Sequence, residues 1–589
     1  MLEIGKRREF LSPRYRWVYE SADKGKALLL SQALSIPAVI AEILIKRGMS
    51  EPELVRGFFK SSLNSTIDPF IMKDMYKGAN RLAAAVKKGE HICIYGDYDV
   101  DGITAASLML LFLKTLGVNA DYYIPNRLDE GYGLNINSIK EIAQKGTKLL
   151  ITVDCGISAF EEAAYAASIG IDLIITDHHQ AGDNIPTAQA VINPMRKDDP
   201  YPFKMLAGVG VAFKLCCAVR SVLRSDPEFN GELPNLKQFL DIVALGTVSD
   251  VMPLYGENRI MVVHGLKILS SSDVRVGIDE LKKAAGIEKV QFSSTHIAFA
   301  LAPRINAVGR LGDSYRGVDL LISTDRLKAQ ETAKQLNREN LFRQELENQL
   351  LNEIYEKIAK DGSFTSRRGL VLFSPKWHPG ILGIAASRIA ERYFKPTIIL
   401  TEDDGLLKGS ARSIPAFNLY EGLASISDLF LSFGGHKYAA GVKLKAERGE
   451  ELIERFDAAV KSALKDEDFF PELYVDAVLP PREINAGFMD ALAGLEPFGA
   501  ANHQPIFITT GVKKLGKVAF VGKDDPKKHA KCTFQKDGVI LSAIGYNMNF
   551  YRDILNTHDR FDILYNLSYN TYNNITKPQL VLRDLRVSL

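Results

Sequence analysis

Asp97, Asp99 and Asp101 alternate in the run GDYDVDG at residues 96–102. An extended segment would project all three to one side. Three carboxylates so placed repel one another unless cations neutralise them. Asp154 follows in ITVDCGIS, Asp177-His178-His179 in IITDHH, and Asp250 in GTVSDVMPL. Several carboxylates with one or two imidazoles and no thiolate suit hard or borderline metals, Mn2+ first and Mg2+ second, better than structural zinc. The donors suffice for two divalent ions. Two metals about 3.5–4 Å apart stabilise the attacking and leaving oxygens of an in-line phosphoryl displacement.

Each acidic cluster trails an apolar run. Ile92–Tyr95, Lys148–Val153 and Ile171–Thr176 read as strands, with helices through Ile103–Leu116 and Phe160–Ser168. This alternation predicts parallel βαβ units in a doubly wound α/β sheet. In such sheets ligands bind outside the carboxyl ends of the strands, so the clusters would meet in one crevice. A single Asp at a strand end is ordinarily the N-cap of the next helix. Three in series, one with paired histidines, are not explained that way. Gly102 permits a tight turn into the helix at Ile103. Asp250 ends an apolar helical run, where a carboxylate is costly to bury without a partner.

The chain has 589 residues, enough for three or four domains. A net charge of +2 excludes a uniformly basic surface, so any nucleic-acid contact must come from local patches. Five cysteines form no Cys-x-x-Cys pair, which fits a reducing cytoplasm. The N-terminus has no signal-peptide core, and the apolar stretch Leu28–Ile45 is broken by polar residues and Pro37, so it reads as core helix and no membrane partner is expected.

Residues 1–75 read as a helical N-terminal region, 76–326 as the α/β metal domain, and 327–362 as a long linking helix. A smaller α/β domain follows over 363–464, and a strand-rich domain resembling a small β-barrel over 465–589. From residue 505 onward there are 13 Lys plus Arg against 7 Asp and no Glu. Phe520, Phe534, Tyr546, Phe550, Tyr551, Tyr565, Tyr569 and Tyr572 are interleaved with them. Bases stack on such rings while cations meet phosphates. Taken alone, the pattern is better described by an ordinary barrel with an aromatic core and solvated lysines.

In this order the motifs resemble the DHH phosphoesterase superfamily, and within it the RecJ single-strand-specific DNA exonucleases. The resemblance rests on GDYDVDG (96–102), PNRLDEGYGLN (125–135), TVDCGIS (152–158), TDHH (176–179) and GTVSDVMPL (246–254). It continues through APRINAVGR (302–310), WHPGILGIAASR (377–388), KGSARS (408–413) and FGGHKYAAG (433–441), and so covers nearly the whole chain. It implies a DHH domain, a DHHA1 domain and a C-terminal OB-like β-barrel. It implies metal ligands at Asp99, Asp101, Asp154, His178 and Asp250, with Asp154 bridging two ions and Asp97 a further ligand or a hydrogen-bonding neighbour. His179 would face the scissile phosphate, or else orient a ligand. Arg127, Ser410 and Arg412 would recognise a terminal 5′-phosphate; the residues of KGSARS themselves read as hydroxyls, a turn and a guanidinium, a combination that makes charge-assisted bonds to a phosphate. Arg304, Arg310, Arg388 and His436 would hold backbone phosphates. The implied activity is 5′-to-3′ hydrolysis of single-stranded DNA to 5′-mononucleotides, in repair and recombination. A helicase and a single-strand-binding protein are the implied partners, and a monomer is the default. Other superfamily members cleave short oligoribonucleotides or cyclic dinucleotides in shorter chains, and a non-catalytic relative would lack the metal carboxylates.

Overall fold

The computed structural model describes the chain except residues 1–6, 127–129, 132, 289–290, 312–313, 524–526, 573–574 and 589. Two compact units result: Ser61–Gln349 with Pro497–His503, and Met1–Lys60 with Leu350–Glu496 and Gln504–Leu589.

In the first unit, apolar runs, buried along their whole length in the strands Ile92–Gly96, Leu149–Val153 and Ala190–Ile192, pair as a parallel sheet. Its spatial order is Asp121–Tyr123, Ile92–Gly96, Leu149–Val153, Asp172–Thr176 and Ala190–Ile192. Alternate side chains enter different cores. Ile92, Ile94, Leu149, Ile151, Val153 and Ile174 join the core of helices Met75–Lys88 and Val100–Thr115. Cys93, Tyr95, Leu150, Leu173 and Ile175 join the core that includes helices Ile136–Gln144 and Phe160–Ser168. Burial on both faces is why these strands read as continuous hydrophobic runs. The strand order reverses between Ile92–Gly96 and Leu149–Val153, the position where such sheets bind ligands. The two outer strands, each three residues long, escape detection in the sequence because they carry too few residues for a period.

The segment 205–270 contains helices Gly208–Ser225, Leu240–Ser249 and Gly256–Leu269. The charged stretch after residue 326 is one helix, Arg326–Lys360.

In the second unit, the region read as helical and connective opens with an antiparallel hairpin, Arg7–Leu11 and Arg16–Glu20. Glu472–Val475 extends it in parallel. Trp17 is fully buried, and its Nε1 donates to Asp584 Oδ2 at 2.6 Å. The hairpin thus depends on partners more than 450 residues away, which a local pattern does not reveal. The stretch Leu28–Ile45 forms parts of two helices, Lys24–Leu34 and Ala38–Lys46, bent by 117°. Among the described residues no single helix is long and apolar enough to cross a membrane.

The smaller α/β sheet runs Ser432–Gly435, Ala439–Lys445, Leu406–Arg412, Thr397–Asp403 and Leu370–Phe373, with only the last pair parallel. KGSARS is therefore mostly strand, correcting the turn expected there. The C-terminal sheet has seven strands, and two residue pairs, Lys513↔Gln535 and Lys514↔Phe534, bring its strand His529–Lys536 back to Phe507–Lys514. It curls in this way without closing fully into a barrel.

Candidate metal centre

The first cluster is built by a turn, not by strand alternation. The helix starts at Val100, three residues earlier than expected, and Asp99 is its N-cap. Asp99 Oδ1 accepts from the amides of Asp101 and Gly102 at 2.8 and 3.1 Å. Asp101 lies in the first helical turn and is buried. Gly102 serves close approach: a Cβ there would sit 2.5 Å from the backbone of Asp97.

Asp154 ends its strand with φ at +62°, a left-handed backbone uncommon outside glycine, though aspartate and asparagine adopt it more readily than other residues. Its amide donates to the Thr176 carbonyl at 3.0 Å, which fixes the turn. Residues held in sparsely populated backbone regions cluster at functional sites. Its Oδ1 is buried and accepts no hydrogen bond among the described residues. His178 Nε2 lies 3.1 Å from it, 3.6 Å from Asp250 Oδ2 and 3.8 Å from Asp101 Oδ2.

Three groups of donors result. The ligand atoms of Asp97, Asp99 and Asp154 lie within 4.8 Å of one another, as do those of Asp101, His178 and Asp250, and those of Asp154, His178 and His179. Asp154 and His178 each belong to two groups. The electrostatics agree with cation binding. Burial, then Asp250 and Asp99, pushes Asp101 well above the carboxylate range. Burial, then Asp101 and Asp99, does the same to Asp154. Asp250 is pushed up to about 7 by burial and by Asp99. Divalent cations would remove these penalties, and the oxygen-rich donor set with one neutral imidazole fits Mn2+ or Mg2+.

The two histidines differ sharply. Burial, then the neighbouring His179, pulls His178 down to about 4, so it is a neutral imidazole. For His179, burial lowers the pKa, but the Asp177 hydrogen bond and charge outweigh it and raise it to about 9. Its Nδ1 lies 2.7 Å from Asp177 Oδ1, and its side chain is 46% exposed. Asp177 itself is buried, which raises it, yet the His179 ring and the amides of His179 and Ile157 hold it below the usual range.

Sequence reasoning missed several groups. The amides of Gly208 and Val209, opening a helix, donate to Asp101 at 2.6 and 2.9 Å. The signal was GVGV after Ala207, a helix start with no capping side chain. Asp177 was read only as part of the motif, yet it anchors His179. Asn193 Nδ2 holds the His179 carbonyl at 2.9 Å.

The expected substrate contacts are spread over both units. Ser410 and Arg412 share one face of the strand Leu406–Arg412. A Cβ on Gly383 would lie 3.3 Å from Ser410 Oγ and 3.1 Å from Arg412 Nη2, so glycine keeps that space clear at the start of helix Leu382–Tyr393. The His436 amide donates to the Ala439 carbonyl, and Ala439 pairs with Arg412. Arg388 is exposed on helix Leu382–Tyr393. Arg304 Nε donates to Asn337 Oδ1 at 2.9 Å and its Nη1 to the Ala300 carbonyl at 2.6 Å. Arg127 and the side chain of Arg310 lie outside the described residues.

Three family models match the chain: the DHH family N-terminal domain over residues 91–247, the DHHA1 domain over 367–462, and the RecJ OB domain over 475–584. The single-stranded-DNA-specific exonuclease RecJ of Bacillus subtilis (strain 168) is 38% identical, over 98% of this chain and 72% of that protein. The protein of the same name from Escherichia coli (strain K12) is 34% identical, over 93% of this chain and 96% of its own. The crystal structure of RecJ in complex with Mn2+ from Thermus thermophilus superposes with a TM-score of 0.81 at 28% identity, covering 98% of this chain and 80% of that one. The Mg2+ complex from the same organism gives 0.76 at 27% identity, covering 98% and 79%. With that identity and coverage, the chain belongs to the RecJ family of single-stranded-DNA-specific exonucleases.

Proposed function

We propose that the protein is a metal-dependent exonuclease that hydrolyses single-stranded DNA stepwise from a 5′ end and releases 5′-mononucleotides. The observation that carries this reading is the convergence of five carboxylates and a neutral His178 beside a cationic His179, within a chain whose relatives bear that name.

Asp97, Asp99, Asp101, Asp154, His178 and Asp250 would hold two divalent ions, with Asp154 common to both. Bound there, such ions supply Lewis-acid stabilisation and make water a nucleophile near neutral pH. The residues do the rest. Asp177 keeps the His179 proton on Nδ1, so the ring presents its other N–H and a positive charge to phosphoryl oxygens. Ser410, Arg412 and the space left by Gly383 receive the 5′-phosphate through charge-assisted hydrogen bonds. Arg304 is held in a fixed fork by Asn337 and Ala300, ready for a backbone phosphate. A cytoplasmic monomer, acting in repair and recombination with a helicase and a single-strand-binding protein, completes the reading.

The test offers purified protein, with Mn2+, 5′-phosphorylated single-stranded DNA, duplex DNA, a short RNA and a cyclic dinucleotide. Mononucleotides are expected from the single strand alone, and Asp154→Ala abolishes their release. Preference for RNA or for the dinucleotide would overturn the reading. Arg412→Ala is expected to erase the advantage of a phosphorylated over a hydroxyl 5′ end.

A further inference from the structure

A cavity of about 400 Å3 lies wholly in the unit that carries the hairpin, the smaller α/β domain and the seven-stranded C-terminal sheet. Small-ligand sites span roughly 300–1,000 Å3. Tyr15, Tyr393, Phe469 and Phe470 wall it, and Arg14 and Arg392 line it. No residue named for the metal centre or the 5′-phosphate belongs to it.

The walls are held from behind. Ser12 Oγ accepts from the amides of Arg14 and Tyr15 at 3.2 and 2.9 Å and donates to the buried carboxylate of Asp584. The Arg16 amide donates to the Pro471 carbonyl at 2.9 Å, which fastens the hairpin to the Phe469–Phe470 segment. Phe394 completes the lining at φ +49°. A bulky residue is rarely left-handed, and such strain persists only where the surroundings over-determine it.

The charge is unbalanced. The lining carries two guanidiniums against one carboxylate, Glu391. Among the described residues, neither Arg14 nor Arg392 forms an ion pair. Both lie over rings instead: Arg14 at 5.4 Å from the Tyr15 centroid, Arg392 at 4.0 Å from Tyr355. A guanidinium stacked in this way keeps its N–H edge for an anion. Arg368 lies over Phe469 at 5.3 Å and Arg392 also over Tyr393 at 5.9 Å, so each of these rings has one face on a cation and its other face to offer. Such rings, beside an excess of cations over carboxylates, match a flat aromatic group flanked by phosphates. Bases in duplex DNA are already stacked and cannot enter.

We propose that this pocket takes one unpaired base of single-stranded DNA, with Arg14 and Arg392 on the flanking phosphates, as a holding site for strands longer than the reacting end. The proposal rests on the single-strand exonuclease reading, and its test is separable from that reading. Hydrolysis-resistant phosphorothioate oligo-dT, short (~4 nucleotides) and long (~30 nucleotides), is titrated against the full chain by fluorescence anisotropy. KM and kcat are measured on the hydrolysable strands with Mn2+. Tyr393→Ala is expected to weaken the long strand about tenfold, in Kd and KM, with the short strand and kcat unmoved. Tyr393→Phe restores it. Arg392→Gln is expected to reduce the slope of log affinity against log salt by about 0.7.

Equal losses on both lengths, or an unchanged salt slope, would overturn the pocket. So would an acidic aromatic peptide whose binding alone depends on Arg392, because that assigns the pocket to a protein. Should Tyr393→Ala melt early, Arg392→Gln, at an exposed position, decides. Should wild type release no mononucleotides, the exonuclease reading fails, while the length-dependent loss still upholds the pocket.

Discussion

His178 and His179 are neighbours in sequence and opposites in chemistry. Burial keeps His178 neutral, and its Nε2 lies among three carboxylates. Asp177 keeps His179 charged at a half-exposed position. A neutral imidazole is the form that binds a metal, and an imidazolium is the form that meets phosphate. His178→Ala is therefore expected to lose bound Mn2+, measured by calorimetric titration, and activity with it. His179→Ala should keep its metal and lose about 10²–10³ in kcat, the cost of removing one preorganised stabilising group. Equal loss of Mn2+ in both variants would make His179 a ligand and remove its assigned role. Asp177→Asn should reproduce much of the His179→Ala defect at unchanged metal content, because the ring then loses its counter-charge and its fixed tautomer.

At the scale of elements, glycines let helices reach the carboxylates. A Cβ on Gly208 would fall 2.4 Å from Asp154 Oδ1, and one on Gly246 would fall 2.2 Å from Thr104 Oγ1 and 2.9 Å from Asp101 Oδ1. Gly208→Ala is expected to weaken Mn2+ affinity about 10–100-fold, as loss of a supporting contact does, with the far-ultraviolet circular dichroism retained. Unchanged affinity would mean that the helix start can shift freely. The C-terminal sheet sorts its aromatics in a similar local way. Phe534, Tyr551 and Tyr565 are core, whereas Tyr546, Phe550 and Tyr569 are exposed. Phe534→Ala should destabilise by about 3–5 kcal/mol. Tyr546→Ala with Phe550→Ala should leave the melting temperature in place and weaken single-strand binding. An unaltered affinity would return these rings to the status of ordinary surface residues. These cases mark what a sequence can disclose. The acidic clusters at Asp97–Asp101, Asp154 and Asp177 were legible because each directly follows a buried strand, Asp250 because it ends an apolar helix, and the long helix because its spacing persists. The amides of Gly208 and Val209 carry no side-chain signal, whereas the KGSARS strand carries a local one that the turn reading passed over, since it pairs antiparallel with Thr397–Asp403 across the two-residue Asp404-Gly405 turn. The hairpin at Arg7–Glu20 and the sorting of barrel aromatics depend on packing against remote chain, which no local period encodes.

For the whole molecule, the metal centre links stability to pH. Asp101 and Asp154 have folded-state pKa values above the carboxylate range, and Asp250 reaches about 7. Between about pH 4 and 7 the metal-free folded protein therefore holds protons that the unfolded chain has released, and stability falls as pH rises. His178, lowered to about 4, acts in the opposite direction up to its ordinary value near 6.5, and one imidazole offsets only part of three carboxylates. His179, raised to about 9, extends the decline, because its favourable charge is present at neutral pH and lost as pH climbs toward 9. Metal binding requires ionised carboxylates, so Mn2+ should stabilise little near about pH 5 and strongly near about pH 7.5. At a hundred times its dissociation constant, each ion adds about 2.7 kcal/mol. Both tryptophans, Trp17 and Trp377, belong to the other unit, so fluorescence would miss the effect. Differential scanning calorimetry resolves separate transitions in a chain of several domains. With a chelator, one transition is expected to move down as pH rises from about 5 to 8, and Mn2+ is expected to reverse that trend. In Asp154→Asn the Mn2+ response should vanish while the other transitions stay in place. A metal-free transition that rises across this range, or a Mn2+ shift of equal size at both pH values, would show that these carboxylates are already ionised and compensated without metal.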